Sequence, residues 1–352
     1  MQKIVPANIR DIQDGPRKSI SRPPTFIEKH CNTVFGWATY FFAWLTVLMV
    51  LYIVCIIGIQ AAPAIRDYGL GFITGTTWDA NTHQYGVLPE IWGTMYSSLL
   101  ALVIGSLFGV AVAVFLSEHF LSSFVFSIEK LFGVQFHSFW GKLPDKFEQI
   151  LKNLIELLAA IPSVVYGLWG IFFVIPLIRP VCDWLNTNLG WIPIFNTTLS
   201  GPGMLPASIV LAIMILPTVS AISLNALLAV PPKLREASYG LGATRWETIL
   251  AILIPTASKG IFGSIILAFG RALGETMALA MLVGNANVIS WSLFSPANTL
   301  AALLANNFPE AGPKEVGVLM FAALILLAIT LFVNMIGAFI LQKASTPNEG
   351  TR

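Results

Sequence analysis

Residues 236–255 read EASYGLGATRWETILAILIP and form a charged, helix-forming stretch between two long apolar segments. Gly242 follows about two helical turns, and glycine readily adopts the left-handed conformation that closes a helix. Thr244 and Glu247 have the spacing of a capping box, in which two side chains close the start of a helix. The stretch therefore predicts two short helices joined by a tight turn, and the second helix leads into the next apolar segment.

The apolar segments around this stretch are long enough to cross a membrane. Of the 352 residues, 56% are hydrophobic and 11% are charged, whereas soluble domains carry about 25% charged residues. A membrane-crossing helix needs about 20 apolar residues, and its backbone must be hydrogen-bonded internally. We predict an all-α integral membrane protein with six transmembrane helices, at residues 35–59, 91–116, 155–178, 208–230, 260–283 and 316–341. We interpret 184–206, which is interrupted by Asn, Gly and Pro, as an irregular loop at the interface, with a re-entrant segment as the alternative.

Basic residues alternate along the chain and predict its orientation. From the N-terminus, the seven segments outside the predicted spans carry six, one, four, one, four, one and two Lys or Arg residues. Because cytoplasmic segments are enriched in Lys and Arg, both termini and the loop 231–259 are expected in the cytoplasm. The predicted organisation is a cytoplasmic tail, a first transmembrane helix, a transmembrane domain and a second cytoplasmic tail, at 1–34, 35–59, 91–341 and 342–352.

The transmembrane domain is predicted to contain a cytoplasmic insertion at 117–152. Its first half has apolar residues at helical spacing from Phe120 to Phe132, which favours an amphipathic helix at the membrane surface. Its second half leads into a charged helix at 144–158 that is expected to continue into the third span. Packing on the membrane surface and a regulatory contact with a partner are both open roles for the insertion.

The fifth predicted span contains two ionisable residues, Arg271 and Glu275, four residues apart. Ionisable residues inside a span cost roughly 2.5–3.5 kcal/mol each and indicate function by default. In a continuous helix they would share a face with Gly270 and Gly274, which let another backbone come close. Arg271 suits an oxyanion such as phosphate or sulfate, and Glu275 would then weaken its hold on that anion. The alternative is a structural ion pair, although Arg before Glu is the weaker order within a helix.

Several classes of protein have no support in the sequence. No GxxxxGK[ST] motif occurs, so the chain is not expected to hydrolyse ATP itself or to be an enzyme. The three cysteines and four histidines are scattered, and no metal site or disulfide framework is predicted. We expect no cofactor in this chain and no nucleic-acid partner.

The 236–255 stretch resembles the EAA loop of ABC-transporter permeases, whose pattern is EAA, three residues, Gly, nine residues and I-x-L-P. Ser238 replaces an Ala of that pattern and Ile254 replaces the Leu. The resemblance implies that the segment 231–259 is a coupling loop gripped by a separate ATPase that carries ATP-Mg. The residues implied in this contact are Glu236, Ala237, Ser238, Gly242, Ala243, Ile252 and Pro255.

Other segments are similar to phosphate-specific ABC permeases of the PstC type. They are LLAAIPSVVYGLWG at 157–170, LAIMILP at 211–217 and GRALGETMALAMLVGN at 270–285. The resemblance implies a type I ABC importer (MetI-like) core across 91–341, in a bacterial cytoplasmic (inner) membrane. It also implies a sister permease of the PstA type, an ATPase dimer, an extracytoplasmic phosphate-binding protein and alternating access.

The same resemblance implies that Arg271, Glu275 and Thr276 line the phosphate pathway. Sulfate and molybdate permeases carry a related motif but usually have an aromatic residue where this chain has Thr276. A sulfate- or molybdate-class permease is therefore the first alternative. An ATP-independent channel or a membrane enzyme is a further one.

Overall fold

The computed structural model of the protein describes residues 25–118, Phe120 and 143–345. Across these residues the chain is mostly helical, with one small hairpin and irregular loops between helices, which confirms the all-α prediction. Six helices are long and apolar enough to cross a membrane, as predicted. The amphipathic helix predicted in the first half of the insertion lies outside the described residues, as do most of the two tails.

The chain divides into two compact units, the residues up to Ile56 and the residues from Ile57 onward. Helix α1 (Phe26–Tyr68) begins in the first unit, nine residues before its predicted start at Phe35. Its large apolar side chains in that unit are exposed on all sides of the helix. A helix that is apolar all round is typical of a segment surrounded by lipid.

The second unit contains the end of α1 and all later elements. These are α2 (Gly71–Thr74), β1 (Trp78–Asp79), β2 (Gln84–Tyr85), α3 (Leu88–Ser117), α4 (Leu143–Ala160), α5 (Ser163–Leu189), α6 (Met204–Leu228), α7 (Pro232–Gly240), α8 (Arg245–Leu273), α9 (Met277–Leu282), α10 (Leu300–Asn307) and α11 (Pro313–Ser345). The two strands pair antiparallel.

Helices α3 and α6 form the centre of this unit. A Cβ atom on Gly105 would lie 2.7 Å from the Ile215 side chain, and one on Gly109 would lie 2.8 Å from Val219. Two glycines four residues apart on α3 thus let α6 approach closely, as small residues do at helix contacts in membranes. Ile215 and Val219 are fully buried as a result.

The third span begins later than predicted, because the helix breaks before Ser163. The charged helix predicted at 144–158 is confirmed as α4, but α4 ends at Ala160 and does not continue into the span. Pro162 has an extended backbone at the junction. Proline lacks a donor and disfavours helical conformation in the residue before it, which accounts for the break.

The same span also extends further than predicted, to Leu189 rather than to residue 178. Two polar residues of this stretch bond inside the helix, whereas the Asn186 amide donates to the Phe195 and Thr197 carbonyls of the following loop. The Thr187 hydroxyl donates to the Asp183 carbonyl and the Asn188 amide donates to the Trp184 carbonyl, each at 2.8 Å. Satisfied in this way, they extend the helix by about three turns before the irregular loop begins.

Candidate coupling loop and anion contact

The first helix of the candidate coupling loop (residues 231–259), α7, ends in a closed turn at Gly242. The backbone of Gly242 has a φ of +87°, in the left-handed region predicted from the sequence. The Gly242 amide donates to the Tyr239 carbonyl at 3.0 Å, and the Ala243 amide donates to the Ser238 carbonyl at 3.2 Å. These two bonds form a Schellman motif, which satisfies the last carbonyls of the helix.

A capping box starts the second helix of the loop, α8, as predicted. The Thr244 hydroxyl accepts a hydrogen bond from the Glu247 amide, while a Glu247 carboxylate oxygen accepts one from the Thr244 amide at 2.7 Å. The Thr244 backbone and hydroxyl donors hold the pKa of the exposed Glu247 carboxyl below its ordinary value. The two helices of the loop are therefore fixed at both sides of the turn.

A buried hydrogen bond joins these two helices directly. The hydroxyls of Ser238 on α7 and Thr248 on α8 lie 2.9 Å apart, and Thr248 also donates to the Thr244 carbonyl at 3.0 Å. Ser238 is only 3% exposed. The serine that departs from the EAA pattern thus occupies a site where its hydroxyl ties one helix to the other.

Glu118, just after α3, connects the loop to the second span. Its carboxylate lies 2.8 Å from Arg235 on α7 and 3.8 Å from Arg245 on α8. The Glu118 side chain is 4% exposed. Its carboxylate oxygen Oε1 forms an ion pair with Arg235, but the angles of this contact are not those of a hydrogen bond. Arg245 also lies over the Phe120 ring, 4.0 Å from its centroid. One carboxylate therefore holds both helices of the loop against the end of α3.

The predicted coupling residues separate into an exposed group and a packed group. Glu236, Ala237 and Gly242 are exposed, and the neighbouring Leu241 is 91% exposed. These residues are open to a partner. Ser238 instead lies inside the loop, and Ala243 is half-buried beside the turn.

Ile252 and Pro255 lie along α8, beyond the exposed end of the loop. Ile249–Leu253 adopts a π-helical turn, in which the Ile254 amide bonds to the Ile249 carbonyl. Pro255 has no amide to donate, and the wider turn lets the helix pass it without ending. Helix α8 therefore runs unbroken from Arg245 to Leu273.

The fifth span breaks at 274–276, so its predicted boundaries of 260–283 are wrong. The helix begins at Arg245, ends at Leu273 with Gly274 as its cap, and resumes as α9 at Met277. The Glu275 carboxylate accepts a hydrogen bond from the Ala278 amide at 3.4 Å, at the start of α9. Glu275 is thus not in the same helix as Arg271, and the prediction that the two share one helix face is wrong.

Arg271 lies in the last turn of α8, beside this break. Its guanidinium lies 3.5 Å from the Thr218 hydroxyl on α6. Arg271 and Glu275 form no ion pair with each other or with any other residue in the ranges 25–118 and 143–345. Thr276 bonds only locally, through its hydroxyl to the Gly274 carbonyl at 3.1 Å. The exposed Arg271 therefore keeps most of its hydrogen-bond donors available.

The two glycines of the predicted packing face have different surroundings. A Cβ atom on Gly270 would lie 3.0 Å from the side-chain oxygen of Asn334 on α11. Among the described residues, a Cβ atom on Gly274 would come within 4 Å of only the carbonyls of Gly270 and Arg271, at 3.9 Å. The absence of a side chain at Gly270 therefore lets α11 pack closely against α8, whereas Gly274 is the residue at which α8 ends.

The chain matches a known family of membrane transport proteins. The family described as binding-protein-dependent transport system inner membrane component matches residues 136–346. The chain belongs to this family. With its six apolar spans, it is a multi-pass membrane protein and an ABC-transporter permease subunit.

The permease is also similar to individual relatives over most of its length. It is 34% identical over 326 residues to the phosphate transport system permease protein PstC of Haemophilus influenzae, covering 90% of this chain and 95% of that one. The solved structure of a bacterial alginate ABC transporter with its pentasaccharide-bound periplasmic protein matches 90% of this chain and 97% of its own, with a TM-score of 0.56 at 14% identity. The inward-facing MetNI methionine ABC transporter matches 74% and 96%, with a TM-score of 0.50 at 16% identity. The permease therefore has the MetI-like core of type I importers.

Sequence reasoning missed several residues that shape these sites in the permease. Thr218 contacts Arg271, and Asn334 lies where a side chain at Gly270 would meet it. The available signal was a polar group inside an apolar span, which usually lies on an interior face. The role of Glu118 has no such signal, because its two arginines are distant in sequence.

Proposed function

We propose that this chain is a non-catalytic permease subunit of an ABC importer for inorganic phosphate. Its proposed partners are a dimer of ATPase subunits that binds ATP-Mg, a sister permease of the PstA type and an extracytoplasmic phosphate-binding protein. The name of the Haemophilus influenzae relative supports the substrate, and the family supports the importer. The family supports a location in the cytoplasmic (inner) membrane, and charge alternation supports an orientation with both termini in the cytoplasm.

The observation that carries the proposal is the environment of Arg271. Its guanidinium stands at the open break of the fifth span, beside a hydroxyl and without a carboxylate partner among the described residues. A guanidinium presents two parallel N–H donors to a phosphate, and in a span it would be costly without an anion to meet. The hydroxyl beside Arg271 is that of Thr218, and Thr276 supplies a second hydroxyl at the same break.

Glu275 and Thr276 complete the proposed pathway. Glu275 is half-buried two residues after the end of α8, where its negative charge opposes the retention of an anion. Such a residue favours release, because a contact that binds phosphate too tightly would stall transport. The hydroxyl of Thr276 adds a neutral contact that does not increase the charge.

The proposed mechanism is alternating access, driven from the coupling loop. The partner ATPase would grip the exposed residues Glu236, Ala237 and Gly242 and move them when ATP closes its dimer. Helix α8 links the capped turn to Arg271 across 26 residues, or about 39 Å at 1.5 Å per residue. Because the turn is closed by hydrogen bonds and an ion pair, movement of the loop displaces the helix instead of bending the turn.

Uptake of labelled phosphate by the reconstituted transporter tests this proposal. Arg271→Ala should abolish ATP-driven uptake, while Arg66→Ala removes an exposed arginine at the end of α1 and should leave it unchanged. Normal uptake with Arg271→Ala would overturn the proposed role of Arg271. Strong competition by sulfate or molybdate would assign the importer to those anions instead.

A further inference from the structure

A small cavity with a mixed polar and apolar lining lies between α4 and α6, on the coupling-loop side of the Arg271–Thr218 contact. Its volume is about 110 Å³, and its lining includes Lys152, Glu156 and Asn225. A water molecule occupies about 30 Å³ of liquid, so the cavity has room for a small hydrated ion. Lys152, the cation in this lining, takes no part in the contacts of the coupling loop or in the Arg271–Thr218 contact.

One face of α6 connects this cavity to Arg271. Thr218, Ala221 and Asn225 are spaced three and four residues apart, so they lie on the same side of the helix. Ala221 and Asn225 are exposed and line the cavity, while Thr218 contacts Arg271. The seven residues from Thr218 to Asn225 correspond to about 10 Å along the helix. A small anion could therefore pass from one end of this face to the other in a short step.

Helix α4 is itself bonded to the next span. The Tyr166 hydroxyl of α5 donates to the Leu158 carbonyl near the end of α4 at 2.8 Å. Leu158 is six residues after Lys152 on the same helix. This hydrogen bond therefore holds the end of the helix that carries Lys152.

The charges in the cavity repeat the spacing found at the break of the fifth span. Lys152 precedes Glu156 by four residues, just as Arg271 precedes Glu275. Lys152 is exposed and forms no ion pair with any residue that the structure describes. The Asn225 side-chain amide is exposed as well and can donate to the same anion. A cation with free donors beside a carboxylate suits a contact that accepts an oxyanion and then releases it.

We propose that Lys152 and Asn225 form a second phosphate-oxyanion contact, at which the anion is held after it leaves Arg271 and before it leaves the permease. The inference rests on the proposed phosphate import. An ammonium group is a strongly hydrated point charge and binds phosphate less specifically than the two-pronged guanidinium. The anion therefore moves from a tighter contact to a looser one, and Glu156 favours its departure.

Phosphorus-31 NMR of the assembled transporter in nanodiscs tests this site directly. The permease pair and its ATPase are mixed with excess inorganic phosphate, whose signal is separate from those of the lipids, and its broadening by the protein is measured. All variants carry Arg271→Ala, which removes the first contact. Adding Lys152→Ala should reduce the protein-dependent broadening by up to about fivefold, the factor that a solvent-exposed ionic contact contributes.

Two matched variants and three outcomes decide the proposal. Lys152→Arg should keep the broadening, and Lys314→Gln, which removes an exposed lysine of α11, should leave it unchanged. Equal broadening with and without Lys152 would overturn the proposal. An effect of Lys152→Ala confined to the lipid phosphorus signals would also overturn it, by assigning Lys152 to a lipid headgroup. Failure of the proposed phosphate import would be seen separately, as the absence of ATP-driven phosphate uptake by the unchanged transporter.

Discussion

Replacing Gly242 by Ala should loosen the turn of the coupling loop without disturbing its packing. The Gly242 backbone is left-handed, with a φ of +87°. A Cβ atom at this position would meet nothing within 4 Å. The substitution therefore adds no steric clash with the rest of the chain, and its cost is conformational alone.

The size of this effect follows from the backbone. A non-glycine residue in the left-handed region costs roughly 1–2 kcal/mol, and 1.4 kcal/mol is tenfold in an equilibrium constant. Opening of the turn should therefore become about fivefold to thirtyfold more frequent. Asn tolerates this conformation better than other side chains, so Gly242→Asn should show a much smaller change.

Hydrogen exchange measured by mass spectrometry on the assembled transporter reports this opening. The amides of Leu241, Gly242 and Ala243 all donate to carbonyls of α7, so they exchange only when the turn opens. In Gly242→Ala their exchange should accelerate by the stated factor, while the amides of α3 keep their rates. Equal exchange in the Ala variant, the Asn variant and the unchanged protein would refute the reasoning.

Three further predictions concern the contacts around this turn. Ser238→Ala should cost only about 0.5–1.5 kcal/mol of local stability, because Thr248 keeps its hydrogen bond to the Thr244 carbonyl. Ser238→Leu should instead separate the two helices. Equal hydrogen exchange in both variants would contradict this. Glu118→Gln should lower the unfolding free energy by about 1–3 kcal/mol. This loss is smaller than that from breaking a fully buried ion pair, because the two arginine side chains are 28–30% exposed. An unchanged melting temperature would contradict this prediction. The cap formed by Glu247 has a lowered carboxyl pKa, so its contribution is present at neutral pH and is lost as the pH falls below the ordinary 4.5. The melting temperatures of Glu247→Gln and the unchanged protein should therefore converge at low pH, and a constant gap would count against the cap.

The parts of the fold that the sequence predicted are those with local causes. Gly242, Thr244 and Glu247 form a turn and a cap from neighbouring residues, and each forms as predicted. The six spans were predictable because long apolar runs must bury their backbone bonds within a helix.

The parts that were not predictable depend on competition between local and distant effects. The apolar run after Arg271 favours one continuous helix, yet the chain ends α8 at Gly274 and uses Glu275 to bond the start of α9. The contact of Glu118 with both helices of the coupling loop joins residues far apart in the chain, which periodicity cannot reveal. The same holds for Thr218, which the packing of α6 brings to Arg271.

The central claim is that α8 transmits movement of the coupling loop to the break beside Arg271. A cysteine introduced at Thr276, in a chain whose Cys31, Cys55 and Cys182 are replaced, can be labelled with membrane-impermeant reagents from either side. ATP binding should switch its reactivity from one side to the other. Gly242→Val should abolish the switch while the ATPase still hydrolyses ATP. The same ATP-dependent switch in Gly242→Val would contradict the claim.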